Sequence, residues 1–340
     1  MKVKKIALSS ILLAGFTAGN IAMAEGRLVV YCSAQNIVCE KAVQGFAEKY
    51  DVKTSFIRNS SGSTLAKIEA EKNNPQADVW YGGPFDTHLQ AVELGLLTPY
   101  KSPKLAEVMP QFQTLGDGNS SIVYMGVLGF GVNTERLKKL GINEVPKCWK
   151  DLLDPRLKNE IQIADPQSSG TAYTAIATFV QLWGEDAAFN YLKEIDQYIS
   201  QYPKAGTAPS RNTARGETTV GIGFLQNYSF EKENGAPIEI IVPCEGTGYE
   251  LGGISVIKNA RNLKNAQLFA DWVMSKEAQE LSWKEAQSHH VPTNVNAEPS
   301  PYALKPKDLN LINYDFDKFG SNEMRARLIN KWVDKIKLNK

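Results

Sequence analysis

The chain has 340 residues, 43% of them hydrophobic and 22% charged, with 38 basic against 37 acidic side chains and a formal net charge of +1. That balance makes the chain a poor candidate for nucleic acid, whose binding needs a basic face. The length suits two lobes rather than one core, and any bound anion has to be held by local donors rather than by the global field.

Lys2, Lys4 and Lys5 precede a mostly apolar run from Ile6 to about Phe16, and Ala22-Met23-Ala24 follows as a small-residue cleavage pattern. This predicts a secretory signal peptide over residues 1–24, cut before Glu25. Thr17, Gly19 and Asn20 end the apolar run short of the roughly 20 residues that a spanning helix needs. Position 25 is not a cysteine, which argues against a lipoprotein, and no later stretch reads as a membrane span. Loss of three lysines and no acid takes the net charge to −2. The expectation is a soluble, exported protein.

From Arg27 the pattern alternates strand and helix. Leu28-Val29-Val30-Tyr31 reads as a buried strand, and Val43, Phe46, Ala47 and Tyr50 follow helical spacing. Val52 to Ile57 reads as a second strand, Leu65 to about Lys72 as a second helix, and Ala77 to Trp80 as a third strand. This order predicts a parallel, doubly wound α/β sheet with right-handed crossovers. Ligands of such sheets bind beyond the C-terminal strand ends. Ser33 to Asn36, Arg58 to Thr64 and Tyr81 to Pro84 therefore face one region.

A second unit begins near Phe130-Gly131-Val132-Asn133. The strand Ile161 to Ala164 leads through Asp165-Pro166-Gln167 into a helix with Ala172, Ile176, Phe179, Val180 and Trp183 on one face. Val220 to Leu225 reads as another strand, ending at Gln226-Asn227-Tyr228-Ser229, and Leu268, Phe269, Trp272 and Val273 mark a later amphipathic helix. No Gly/Ser linker separates the two units, so the chain is expected to cross between them more than once.

Two segments repeat one chemistry. Ser60-Ser61-Gly62-Ser63-Thr64 and Ser168-Ser169-Gly170-Thr171 each stand where a helix begins. Small hydroxyls, a glycine and free backbone N–H groups at a helix N-terminus suit an anion such as phosphate, although serine and threonine are also ordinary N-caps. Facing one another across two lobes, they would close on one oxyanion.

All four cysteines, Cys32, Cys39, Cys148 and Cys244, follow the signal segment, and an even count in an exported chain predicts two disulfides. Three connectivities are possible. The favoured one joins Cys32 to Cys39, stapling a strand end to its helix, and Cys148 to Cys244, tying distant segments. No metal site is expected, with no Cys-x-x-Cys and three histidines, His88, His289 and His290. There is no nucleotide P-loop, Gly129-Phe130-Gly131 lacks the third glycine of a dinucleotide fingerprint, and there is no H-E-x-x-H or G-x-S-x-G. No cofactor and no enzymatic activity are expected, though a secreted hydrolase with a triad assembled in space is a rival reading.

Several segments together resemble the ferric-iron-type periplasmic binding proteins of ABC importers. They are Leu28 to Tyr31, Ala77 to Pro84, Val145 to Leu153, Asp165 to Thr171, Arg215-Gly216-Glu217 and Asn265 to Trp272. Within that family the chain looks most like the Afu-type branch, which takes hexose phosphates despite its iron-transport name. Iron-binding members carry adjacent tyrosines after the strand that here ends near Leu225. This chain has Gln226-Asn227-Tyr228-Ser229 there and no Tyr-Tyr pair anywhere, whereas Fe(III) prefers anionic oxygens such as phenolate.

The resemblance implies a two-lobed type II fold, each lobe an open doubly wound sheet with helices on both faces. Lobe 1 is expected over residues 25–127 plus 251–299 and lobe 2 over 128–250 plus 300–340, with crossing strands near Val127 and Leu251. It implies a monomeric receptor that delivers a hexose 6-phosphate to an ABC permease by lobe closure. The phosphate would lie among Arg58, Ser61, Gly62, Ser63, Thr64, Ser168, Ser169, Gly170 and Thr171. The sugar would be read by Ser33, Gln35, Asn36, Trp80, Glu217, Gln226, Asn227 and Glu245. A ferric receptor, and a phosphonate or phosphorylated-cofactor receptor, are the alternatives on the same scaffold.

Overall fold

The computed structural model of the chain describes residues 26–339; the expected signal peptide lies outside them. The first half opens with β1 (Arg27–Cys32), α1 (Asn36–Tyr50), β2 (Lys53–Arg58), α2 (Ser61–Ala70), β3 (Val79–Pro84) and α3 (Phe85–Glu93). The short β4 (Leu97–Thr98) precedes the 13-residue β5 (Ser121–Asn133). There follow α4 (Thr134–Lys139), β6 (Ile161–Gln162), α5 (Gly170–Trp183), α6 (Glu185–Ile195), β7 (Ile199–Gln201) and α7 (Ala208–Ala214). Then come β8 (Val220–Phe224), α8 (Leu225–Glu233), β9 (Ile238–Ile241), β10 (Tyr249–Ile257), α9 (Leu263–Met274) and α10 (Lys276–Ala286). The chain closes with β11 (Val291–Pro292), α11 (Phe316–Phe319) and α12 (Asn322–Lys335).

The strands run in the order β2-β1-β3-β10-β5-β8-β6-β7, with β4 on β10 and β9 and β11 on β5. Helix-linked strands pair in parallel as the sequence pattern predicts: β1 with β2 and β3, and β6 with β7 and β8. The sheet as a whole is mixed, because β10 runs antiparallel to β3 and β5, and β5 runs antiparallel to β8. Long β5 makes this possible. Ser121 to Val127 pair with β10, and Leu128 to Asn133 pair with β8 and β9. Every residue of β5 is buried, so one apolar run serves both halves of the sheet.

Side chains alternate across the first sheet half, and both faces are covered. Val30 and Val79 enter one core with Phe46, Phe269 and Trp272, on the side of α1 and α9. Tyr31 and Trp80 enter the other with Leu65, Ile68 and Leu97, on the side of α2. Trp80 is therefore a core residue. It has no exposed surface, its indole stacks on His88 at 3.9 Å, and its Nε1 donates to Ser33 Oγ at 3.0 Å. This corrects the expectation that Trp80 reads the sugar.

A second difference concerns residues 226–229. The sequence pattern ends the strand at them; they form the first turns of α8, and all four are buried.

Both disulfides form in the favoured connectivity, Cys32–Cys39 across 7 residues and Cys148–Cys244 across 96. A cross-link stabilises more when the loop it closes in the unfolded chain is longer, reaching about 4–5 kcal/mol for a loop near 100 residues. Replacing Cys148 and Cys244 together by alanine is thus expected to lower the denaturant midpoint clearly more than replacing Cys32 and Cys39. Urea titration of the two double variants checks the order.

Candidate functional site

The three β–α loops of the first half converge on one cavity. Ser33, Ala34 and Gln35 follow β1, Arg58 ends β2, Ser60 and Ser61 begin α2, and Pro84 ends β3. The second half closes it from the other side. Ser169, Gly170 and Thr171 open α5, Gly206 and Thr207 precede α7, and Gln226 and Asn227 open α8. Phe224 of β8, Tyr124 of β5, Glu250 of β10 and His290 complete the wall. The enclosed volume is about 30 Å³, room for one or two waters.

The two Ser-Gly helix starts meet directly. Ser61 Oγ accepts from the Gly170 N–H at 3.1 Å. A Cβ on Gly170 would clash with Ser61 Oγ and come within 3.1 Å of Pro84, so the approach requires glycine there. Ser169 caps α5, its Oγ accepting from Ala172 N at 3.4 Å. Further bonds cross between the halves, among them Ser60 Oγ donating to Lys204 O at 3.1 Å. Gln35 Nε2 donates to Asn227 Oδ1 at 2.7 Å, and Arg58 Nη2 donates to Thr207 Oγ1 at 3.4 Å. Arg58 Nε also donates to Ala34 O at 3.1 Å.

The charges in this wall favour an anion. Arg58 has no acidic ion-pair partner among the described residues, and burial, then the nearby Arg211 charge, lower its pKa. Burial pushes Glu250 up to about 8; the Gln226 hydrogen bond opposes the shift and the Asp86 charge adds to it. Burial, with His289 beside it, pushes His290 down to about 3. At pH 7 Glu250 and His290 are therefore mostly uncharged, while the guanidinium, whose unperturbed pKa exceeds 12, keeps its charge. Two helix N-termini add partial positive charge.

Not every residue singled out from the sequence reaches this cavity. Glu217 is exposed beside Arg215, their charged groups 3.9 Å apart, on the turn after α7. Glu245 accepts from the backbone N–H groups of Trp149 and Lys150 at 2.8 and 3.0 Å, beside the Cys148–Cys244 bridge. Glu217 thus faces solvent and Glu245 holds a local turn, which corrects their assignment to the sugar. Ser63 is exposed and is not part of the wall. Gly62 and Ser168 press on one another instead, a Cβ on Gly62 coming 2.9 Å from Ser168 O, while Ser168 Oγ donates to Lys204 O at 2.9 Å. Thr64 lies behind Ser33, their hydroxyls 3.1 Å apart. Asn36 lies in an outer recess of about 250 Å³ that shares Gln35 and Thr207 with the cavity. Residues missed from the sequence include Tyr124, Thr207, Glu250 and His290. Glu250 carried a signal, as the one charged side chain in the apolar strand from Tyr249 to Ile257.

Residues 74–318 match the family of bacterial extracellular solute-binding proteins. The chain belongs to that family. This binding protein is 63% identical over 347 residues to an uncharacterized protein of Haemophilus influenzae, with all of both chains covered. Among solved structures it is similar to the periplasmic binding protein AfuA from Actinobacillus pleuropneumoniae, which was determined with exogenous fructose 6-phosphate bound. That likeness has 65% identity and a TM-score of 0.91, over 92% of this chain and 99% of the other. The periplasmic binding protein P5PA is 53% identical with a TM-score of 0.89, over 92% and 100% of the two chains. The binding protein thus has the two-lobed α/β architecture of type II periplasmic binding proteins, and the cavity lies where its two halves meet.

Proposed function

We propose that this protein is the periplasmic receptor of an ABC importer for a phosphorylated sugar, with hexose 6-phosphates as its ligands. The observation that carries the reading is the charge pattern of the cavity. An arginine without an acidic partner stands beside two abutting helix starts, and the acid in the same wall is held neutral. The fructose 6-phosphate bound to AfuA supports the ligand class. Phosphate is taken by Arg58, Ser61, Ser169, Gly170 and Thr171, and the sugar by Ser33, Gln35, Gln226 and Asn227. Hydrogen bonds to a charged group contribute about 1.5–3 kcal/mol each, so a few of them support micromolar or tighter binding after the cost of immobilising the ligand.

A volume near 30 Å³ is far below the roughly 300–1,000 Å³ of ordinary ligand sites. Binding therefore requires the lobes to separate and then close over the ligand. The reading puts the rotation near Val127 and Leu251, and the change of partner along β5 between Val127 and Leu128 supports it. The lobe spans are those of the sequence reading, residues 25–127 plus 251–299 and 128–250 plus 300–340. Ligand contacts to both lobes shift the balance towards the closed form, which the permease reads. The receptor acts as a monomer and reaches the periplasm through a cleaved signal peptide.

Calorimetric titration with glucose 6-phosphate and fructose 6-phosphate tests the proposal, with free glucose and inorganic phosphate as controls. Binding of the esters at micromolar or lower Kd, at least a hundredfold tighter than either control, is the expected result. Heat with Fe(III) or a phosphonate and none with the esters would overturn it. The ferric alternative has little support in the wall, where Tyr124 is the one phenol and burial pushes its pKa up, away from the phenolate.

A further inference from the structure

Glu250 lines the cavity but has no place in the phosphate contacts proposed above. It lies in β10 opposite Gly126 of β5 and is 4% exposed. Gln226 Nε2 of α8 donates to its Oε1 at 2.8 Å, and no other hydrogen bond reaches the carboxyl among the described residues. Gln226 is 5% exposed, and its own Oε1 is buried without a partner. The two side chains thus bring to one wall a carboxyl with a spare oxygen and an unanswered amide acceptor.

The titratable groups around Glu250 leave it without a counter-charge. His290 Nε2 stands 3.8 Å from its Oε1 but is uncharged at neutral pH. Tyr124 of β5 lies near enough to feel both Glu250 and Arg58. Asp86 of α3 contributes a like charge, and no ion pair joins Glu250 to Arg58 of β2 among the described residues. A buried carboxyl without a cation takes up a proton and becomes a donor as well as an acceptor.

We propose that Glu250 and Gln226 form a hydroxyl-reading pair that sets the specificity of the cavity: Glu250 donates to the oxygen of one sugar hydroxyl, and that hydroxyl donates to Gln226 Oε1. A hydroxyl is the neutral group that satisfies both at once, being a single donor and an acceptor. The inference rests on the reading of the ligand as a phosphorylated sugar. It adds a consequence which that reading lacks. The pair works while Glu250 holds its proton. Once the proton is lost, the donor is gone and a negative charge stands in the same cavity as a phosphate dianion.

The test is calorimetry of the wild-type protein with glucose 6-phosphate and fructose 6-phosphate from pH 6.5 to 9.5. The ester's second ionisation, near pH 6, is nearly complete by pH 7.5, so changes above that report the protein. With one linked proton, Kd is expected to be flat to about pH 7.5 and then to rise towards about tenfold per pH unit above about pH 8. In Glu250→Gln the rise is absent, whatever the affinity at pH 7. A series of monodeoxy glucose 6-phosphates provides the second arm. One analogue is expected to bind wild type at least tenfold more weakly than the parent, and Gln226→Met reduces that penalty to about twofold. A wild-type profile flat to pH 9.5, or a deoxy penalty unchanged in Gln226→Met, overturns the pair while leaving the sugar-phosphate reading intact. Failure of wild type to bind either ester at pH 7 overturns both. The wild-type pH profile needs no variant, so a misfolded substitution does not rescue the idea.

Discussion

Replacing Gly170 by alanine is expected to weaken sugar-phosphate binding about ten- to a hundredfold while the protein still folds. Gly170 is the first residue of α5, and its N–H reaches Ser61 Oγ across the two halves at 3.1 Å. Alanine is the best helix former, so α5 tolerates it. The added Cβ meets Ser61 Oγ and Pro84, which belong to the other half. The clash therefore falls on the closed arrangement and not on either half by itself. Overpacking of this kind costs about 1–3 kcal/mol, and a cost confined to the closed form appears as a weaker Kd. Calorimetry gives the affinity, and small-angle scattering with and without ligand gives the shape. The variant should stay extended at ligand concentrations that compact the wild type. An unchanged Kd would mean that ligand is held without the two helix starts meeting.

Arg58→Met is expected to be the most damaging single substitution for binding, and a mild one for stability. Removing one partner of a buried charge contact costs about 2–5 kcal/mol, on the order of a hundredfold or more in Kd. The folded protein loses little in exchange. Arg58 has no carboxylate partner among the described residues to be orphaned, and burial already works against its charge. The melting temperature is expected to hold or rise. Arg58→Lys should restore only part of the affinity. The guanidinium spans Ala34 O and Thr207 Oγ1 through separate nitrogens, and an ammonium cannot reproduce that fork. Titration of both variants with glucose 6-phosphate checks this. Wild-type affinity in Arg58→Met would place the anion elsewhere in the protein.

Local signals carried the sequence reading where they corresponded to local physics. Ser169 caps a helix because its hydroxyl meets Ala172 N within the same turn, a property that the residue pattern contains. The β–α alternation from Arg27 to Trp80 likewise dictates parallel strands, and with them the convergence of the loops after β1, β2 and β3 on one region. Set against the resemblance to ferric-iron-type binding proteins, the missing tyrosine pair after β8 speaks against iron. The polar residues found in its place form the opening turns of α8.

The sequence by itself determined the alternation of elements, the four-cysteine framework, the two Ser-Gly helix starts and the arginine beside one of them. Each of these depends on neighbours within a few residues or on composition alone. Only the tertiary structure decided which side chains face the cavity. Trp80 reads the same whether it meets a ligand or His88, and the stacking of the core chose His88. Glu217 and Glu245 were plausible acids until the fold placed one in solvent and the other on the N–H groups of Trp149 and Lys150. Glu250 joins the cavity of Arg58, nearly two hundred residues earlier in the chain, because β10 pairs with both β3 and β5 and carries it there. Strand order and register are long-range choices, made by burying whole apolar faces at once, and no short stretch of sequence contains them.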